Sequence, residues 1–149
     1  MNIDIFIEDI YEELVSYRRY FHMHPELSRN EYNTQKKIIE VLETNGIRYE
    51  KAATTGVVAF IEGLSGGKTV ALRADIDALP IQEKNECDYA SINDGVMHAC
   101  GHDVHTTILL GVAIYLQTMN KHFKGSVKLI FQPDEEVSGG AKDIVKEGF

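Results

Sequence analysis

Ser126-Val127-Lys128-Leu129-Ile130-Phe131-Gln132-Pro133-Asp134-Glu135-Glu136 sets an alternating apolar run directly before a group of carboxylates. Val127, Leu129 and Phe131 share one side of an extended segment and Ile130 takes the other, which is the two-residue period of a strand. Upstream, Ile108, Leu109, Val112, Leu116 and Met119 fall on one face of a helix over residues 103–119, with Asp103 as its expected N-cap. Further back, Val57–Ile61 and Thr69–Leu72 read as strands. Between them, Gly63-Leu64-Ser65-Gly66-Gly67-Lys68 ends like a phosphate loop. Glu62 stands where the first glycine is required, however, and a strand follows instead of a helix, so a hairpin turn is the expectation.

The amino-terminal third is helical. Ile3, Ile7, Ile10, Leu14 and Phe21 carry helical spacing, so a first helix is expected to end near Phe21. His22 and His24 are expected to shape a loop around Pro25, which pushes His24 out of helical geometry. Ser28-Arg29-Asn30-Glu31 reads as a capping box for a second helix, with Ile38, Ile39 and Leu42 buried and Gly46 as its stop. A last helix is expected near Gly140. The order α-α-β-β-α-β-α predicts an α/β fold with a mixed, partly parallel sheet flanked by helices.

In such sheets, sites collect beyond the carboxyl ends of the strands. Three polar clusters lie there: Arg73-Ala74-Asp75-Ile76-Asp77, His98 to His105, and Asp134-Glu135-Glu136. In Met97-His98-Ala99-Cys100-Gly101-His102-Asp103-Val104-His105, Cys100 and His102 point to the same side of an extended segment, and Gly101 frees the backbone to bend. Thiolate with imidazole suits zinc or a similar borderline metal better than magnesium or calcium. A metal cluster with a spare carboxylate supplies the ingredients of metal-assisted hydrolysis.

Composition narrows the classes. With 149 residues, 44% of them hydrophobic, the chain fits one globular domain. A formal charge of −8 and the lack of a basic patch argue against nucleic acid. No apolar run approaches the ~20 residues of a membrane span. A cytoplasmic protein with reduced thiols is expected, a Cys87–Cys100 disulfide being the rival.

Arg73-Ala74-Asp75-Ile76-Asp77-Ala78-Leu79-Pro80, Met97 to Asp103, Phe131 to Glu136 and the earlier His22 to Ser28 come in the order seen in one family. The chain resembles the hippurate hydrolase / N-acyl-amino-acid amidohydrolase branch of the di-metal aminoacylase–carboxypeptidase superfamily, from about Tyr17 onward. The resemblance implies an α/β catalytic domain holding two divalent ions (zinc, manganese, cobalt or nickel) and cleavage of N-acyl amino acids, hippurate-like or N-acetylated. Carried over by position, Cys100, His102 and Glu136 are metal ligands, Glu135 is the general base and Asp75 supports the site. Asp77 is a less certain neighbour, and His98 and His105 are expected outside the ligand set. Residues 1–149 then form the N-terminal part of the catalytic domain. Further histidine ligands, an inserted dimerisation domain and the closing catalytic part lie beyond them, and the activity of these residues alone is expected to be weak or absent.

The sequence departs from the family at Asp134, where a small residue is usual, at Val137-Ser138, where glycines are usual, and at Val104, often glycine. The extra carboxylate at 134 either perturbs the base or faces solvent. The expected partner is a small-molecule substrate, with no membrane and no nucleic acid, and a homo-oligomer is left open. Two other function classes stay open. One is a non-catalytic module binding one metal or a complementary chain, and the other is a thiol redox sensor using Cys87 and Cys100.

Overall fold

The computed structural model describes residues 2–149. The elements are α1 (Ile3–Met23), α2 (Tyr32–Thr44), β1 (Arg48–Ala52), β2 (Gly56–Glu62), β3 (Leu64–Asp75), α3 (His102–Thr118), β4 (Lys124–Gln132) and α4 (Ala141–Lys146). The sheet order is β1-β2-β4-β3. β2 runs antiparallel to β1 and to β4, whereas β3 runs parallel to β4. The expected mixed, partly parallel sheet is therefore present.

Alternation along the strands sorts the core. Val57, Ala59, Ile61, Leu129 and Phe131 meet Phe21, Ile38, Leu42 and Leu110 in one cluster. Val58 faces the other way, where Ile144 of α4 and the half-buried Ile130 complete a smaller cluster. α1, α2 and α3 thus share one face of the sheet and α4 covers part of the other.

Several local expectations change. The segment 63–68 is not a hairpin turn, because β4 lies between β2 and β3 and pairs with both. The chain leaves β2 and crosses the start of β4, with Gly63 N donating to Gly125 O at 2.9 Å and Leu64 N to Phe123 O at 2.8 Å. β1 is an additional strand. Its sequence, Arg48-Tyr49-Glu50-Lys51-Ala52, is polar and mostly exposed, as suits a sheet edge.

α1 runs through His22 to Met23. The Ser28–Glu31 capping box does not form, since Glu31 makes no side-chain cap bond to α2. Glu26 caps that helix instead, accepting from Asn33 N at 3.1 Å and Thr34 N at 2.8 Å. Asp103 is not the N-cap of α3 but lies inside its first turn. It is buried against His22 Nδ1 at 2.7 Å and Arg18 Nε at 3.1 Å. Both cysteines are free. Among the described residues, no helix is long and apolar enough to cross a membrane.

Candidate metal centre

The parallel pairing of β3 with β4 builds the site. Asp75 pairs with Gln132 at the carboxyl ends of both strands, and Ile76 N donates to Gln132 O at 3.0 Å. The two segments that follow, Asp77 and Pro133 to Glu136, therefore leave the sheet side by side. The amino end of α3 points at the same edge, with Thr106 Oγ1 donating to Asp75 O at 3.1 Å. Gly101, at φ 88°, turns the chain into that helix and brings Cys100 and His102 together.

Cys100, His102 and Glu136 each offer a ligand atom, and these atoms lie within 4.8 Å of one another. His102 Nδ1 is 3.0 Å from Asp77 O and 3.3 Å from Asp77 Oδ1. Both partners are acceptors, so Nδ1 carries the proton and donates to the carbonyl. Oδ1 makes no hydrogen bond of its own and acts on the ring through charge. Nε2 faces the other way, 3.9 Å from Glu136 Oε1. A ligating histidine backed by carbonyl and carboxylate is the common arrangement at metal sites, because it fixes the tautomer and ring orientation. Burial lowers the affinity of His102 for a proton, but the bonds to Asp77 and Cys100 outweigh it and push the pKa up to about 11. A cation held by His102 would take the place of its second proton. The donor set of thiolate, imidazole and carboxylate fits zinc or a similar borderline metal.

The two aspartates are tuned in opposite directions. Burial lifts the Asp75 carboxyl above its usual range, with Arg73 and His102 pulling back and the Glu135 and Asp77 charges adding to the rise. Burial acts the same way on Asp77, but His102, the Glu136 amide and the Ser28 hydroxyl outweigh it and hold that carboxyl low. Asp77 Oδ2 accepts from Ser28 Oγ at 2.7 Å and from Glu136 N at 3.0 Å. Asp77 is thus bonded to both His102 and Glu136. The sequence weighted Asp75, because the bond from residue 77 to residue 136 exists only once β3 and β4 are paired.

Asp75, His102 and His105 form a second group of possible ligands, within 4.8 Å of one another and sharing His102. His105 is exposed, and its i, i+3 spacing from His102 on α3 was the available signal. His98 is 3% exposed with neither ring nitrogen partnered, and burial pushes its pKa down to about 4, so it stands neutral behind the cluster. Asp134 does not face solvent. It is 3% exposed and paired with Arg29. His22 does not shape the Pro25 loop alone, for its Nε2 is 3.1 Å from Glu83 Oε1 and ties α1 to the segment before the cluster. A cleft of about 530 Å³ adjoins Cys100, lined also by Arg18, Tyr89 and His98.

Peptidase family M20/M25/M40 matches residues 71–149, the part that carries every one of these donors. The N-acetyl-L-cysteine deacetylase of Bacillus subtilis (strain 168) is 47% identical over 138 residues, covering 92% of this chain and 33% of that protein. The N-acyl-L-amino acid amidohydrolase of Geobacillus stearothermophilus is 41% identical over 144 residues, covering 95% and 39%. The crystal structure of the Bacillus subtilis YXEP protein, described as a dinuclear metal binding peptidase from the M20 family, superposes with a TM-score of 0.91 at 45% identity, covering 95% of this chain and 40% of that one. The chain thus spans between a third and two fifths of the length of these relatives. Over that span the fold agrees, and the chain belongs to peptidase family M20/M25/M40.

Proposed function

We propose that this chain is the N-terminal part of the catalytic domain of a metal-dependent amidohydrolase cleaving N-acyl amino acids, either hippurate-like or N-acetylated. An inserted dimerisation domain and a closing catalytic part would complete the enzyme. The observation that carries the reading is the convergence of Cys100, His102 and Glu136 from two segments onto one edge of the sheet. The relatives named for N-acyl amino acid chemistry support the substrate class.

In this reading Cys100, His102 and Glu136 hold divalent cations, and Asp75 stands beside them. Bound cations of zinc, manganese, cobalt or nickel polarise an amide carbonyl and acidify water. Glu135 is the base: its carboxylate takes a proton from water and returns it to the leaving amine nitrogen. Asp77 holds the proton on His102 Nδ1, which leaves Nε2 as the donor. Adjacent carboxylates repel, and engaging Glu136 as a ligand relieves that conflict and leaves Glu135 free for proton transfer.

Elemental analysis after gel filtration tests the ligand set on the 149-residue chain. The wild type is expected to retain metal, Cys100→Ser to lose it and Glu136→Gln to hold it more weakly, while Glu135→Gln retains it. Equal metal content in wild type and Cys100→Ser would refute the assignment. In the complete enzyme, Glu135→Gln is expected to abolish most turnover with metal content intact, and near-normal turnover would remove Glu135 as the base.

A further inference from the structure

Asp134, in the loop after β4, is held by contacts that involve none of the donors. Asp134 adopts φ +55°, in the left-handed region where Asp and Asn are enriched among residues with a side chain. Its amide donates to Glu31 Oε1 at 2.9 Å, and Glu31 is itself fully buried and accepts from Thr55 Oγ1 at 2.6 Å. The Asp134 carbonyl accepts from Gly139 N at 2.7 Å and Gly140 N at 2.9 Å. Its Oδ2 accepts from Arg29 Nε at 2.8 Å and from Ser138 Oγ. Backbone and side chain of this one residue are thus fixed from Arg29 and Glu31, just before α2, and from the turn that follows. The next two residues are Glu135 and Glu136, and Glu136 N is anchored in turn to Asp77.

We propose that Asp134 is a positioning residue: its left-handed backbone and its Arg29–Ser138 bonds set the direction in which Glu135 and Glu136 enter the metal centre. The left-handed turn redirects the chain immediately after Pro133, so the carboxylate of Glu136 reaches Cys100 and His102 rather than following the strand outward. A small residue, which the family resemblance leads one to expect at this position, makes none of the side-chain bonds. An alanine there also meets the Cβ penalty of that backbone region. The inference rests on the reading of Glu136 as a ligand.

Co²⁺ titration of the metal-free chain tests it, followed by the thiolate-to-cobalt absorption of Cys100. Asp134→Ala is expected to weaken Co²⁺ at least tenfold while the thiolate band still forms. Asp134→Asn, at ease in the left-handed region and able to accept from Arg29, is expected to stay within about threefold of wild type. The deciding comparison is a double-mutant cycle with Glu136→Gln. If Asp134 acts through Glu136, the double variant binds no more weakly than Glu136→Gln alone. Wild-type affinity in Asp134→Ala, or losses that multiply in the double variant, would overturn the proposal. An unchanged affinity in Glu136→Gln would instead overturn the ligand reading itself, and the positioning role with it. Should the alanine chain fail to fold, Asp134→Gly, which tolerates the same φ, enters the same cycle with the same outcomes.

Discussion

One carboxylate, that of Asp77, ties together the loop after β3, the Ser28 hydroxyl, the His102 ring and the Glu136 amide. Its partners are far apart in sequence, which is why the sequence and its family resemblance offered Cys100, His102 and Glu136 as candidate ligands but gave less weight to the residue bonded to two of them. A metal donor is recognisable from its own chemistry, whereas a supporting residue is recognisable only from its contacts. Glu31 shows the same limit. It resembled half of a capping box, yet it is buried beneath Asp134. Burial raises its pKa above 4.5, although the Thr55 hydroxyl and neighbouring amides pull the other way. The folded state therefore binds a proton that the unfolded chain has released, and Glu31 costs stability as pH rises through and above about 4.5. Glu31→Gln lacks this loss. Relative to wild type, its urea-unfolding free energy is expected to improve as pH rises above about 4.5 and to level off once the folded carboxyl has ionised. A difference that stays flat with pH, or declines, would count against a raised Glu31.

The helices and inner strands were legible because a long apolar period survives tertiary context. β1 was not, since an edge strand with charged side chains resembles a loop. Strand order was also hidden. β2 and β3 are antiparallel to each other and joined by a short connection, as in a hairpin, and nothing in that connection announces a third strand between them. The signal lies instead in the glycines at the crossing. A Cβ on Gly67 would sit 2.5 Å from Gly125 N, and one on Gly125, at φ +90°, would sit 2.2 Å from Lys68 O. Both obstacles are backbone atoms, which cannot rotate aside. Gly125→Ala is accordingly expected to destabilise the chain by about 1–3 kcal/mol, combining overpacking with backbone strain. A urea midpoint equal to wild type would show that the crossing is looser than its geometry.

For the molecule as a whole, the helices cover β2 and β4 more completely than β3. Val70 and Leu72 pair with Val127 and Leu129, so they share the helix-facing side of the sheet, yet they are 52% and 36% exposed. β3 is also a free edge of 12 residues, longer than most strands. Long apolar edges template pairing with another chain, and natural edges are blunted with lysine. Sedimentation velocity is expected to show self-association growing with concentration, and Val70→Lys is expected to suppress it. Identical profiles for the two chains would exclude this edge as the contact. The position of β4 matters also in time. The strand that joins the two halves of the sheet is the last of these four to leave the ribosome. Until Lys124–Gln132 has emerged, the β1–β2 ribbon and β3 have no neighbour in common. A nascent chain at that stage exposes apolar surface on both sides of a gap, the state that chaperones recognise. Glu135 and Glu136 follow the joining strand directly, so closure of the sheet and arrival of the proposed acidic half of the metal centre are a single event in synthesis.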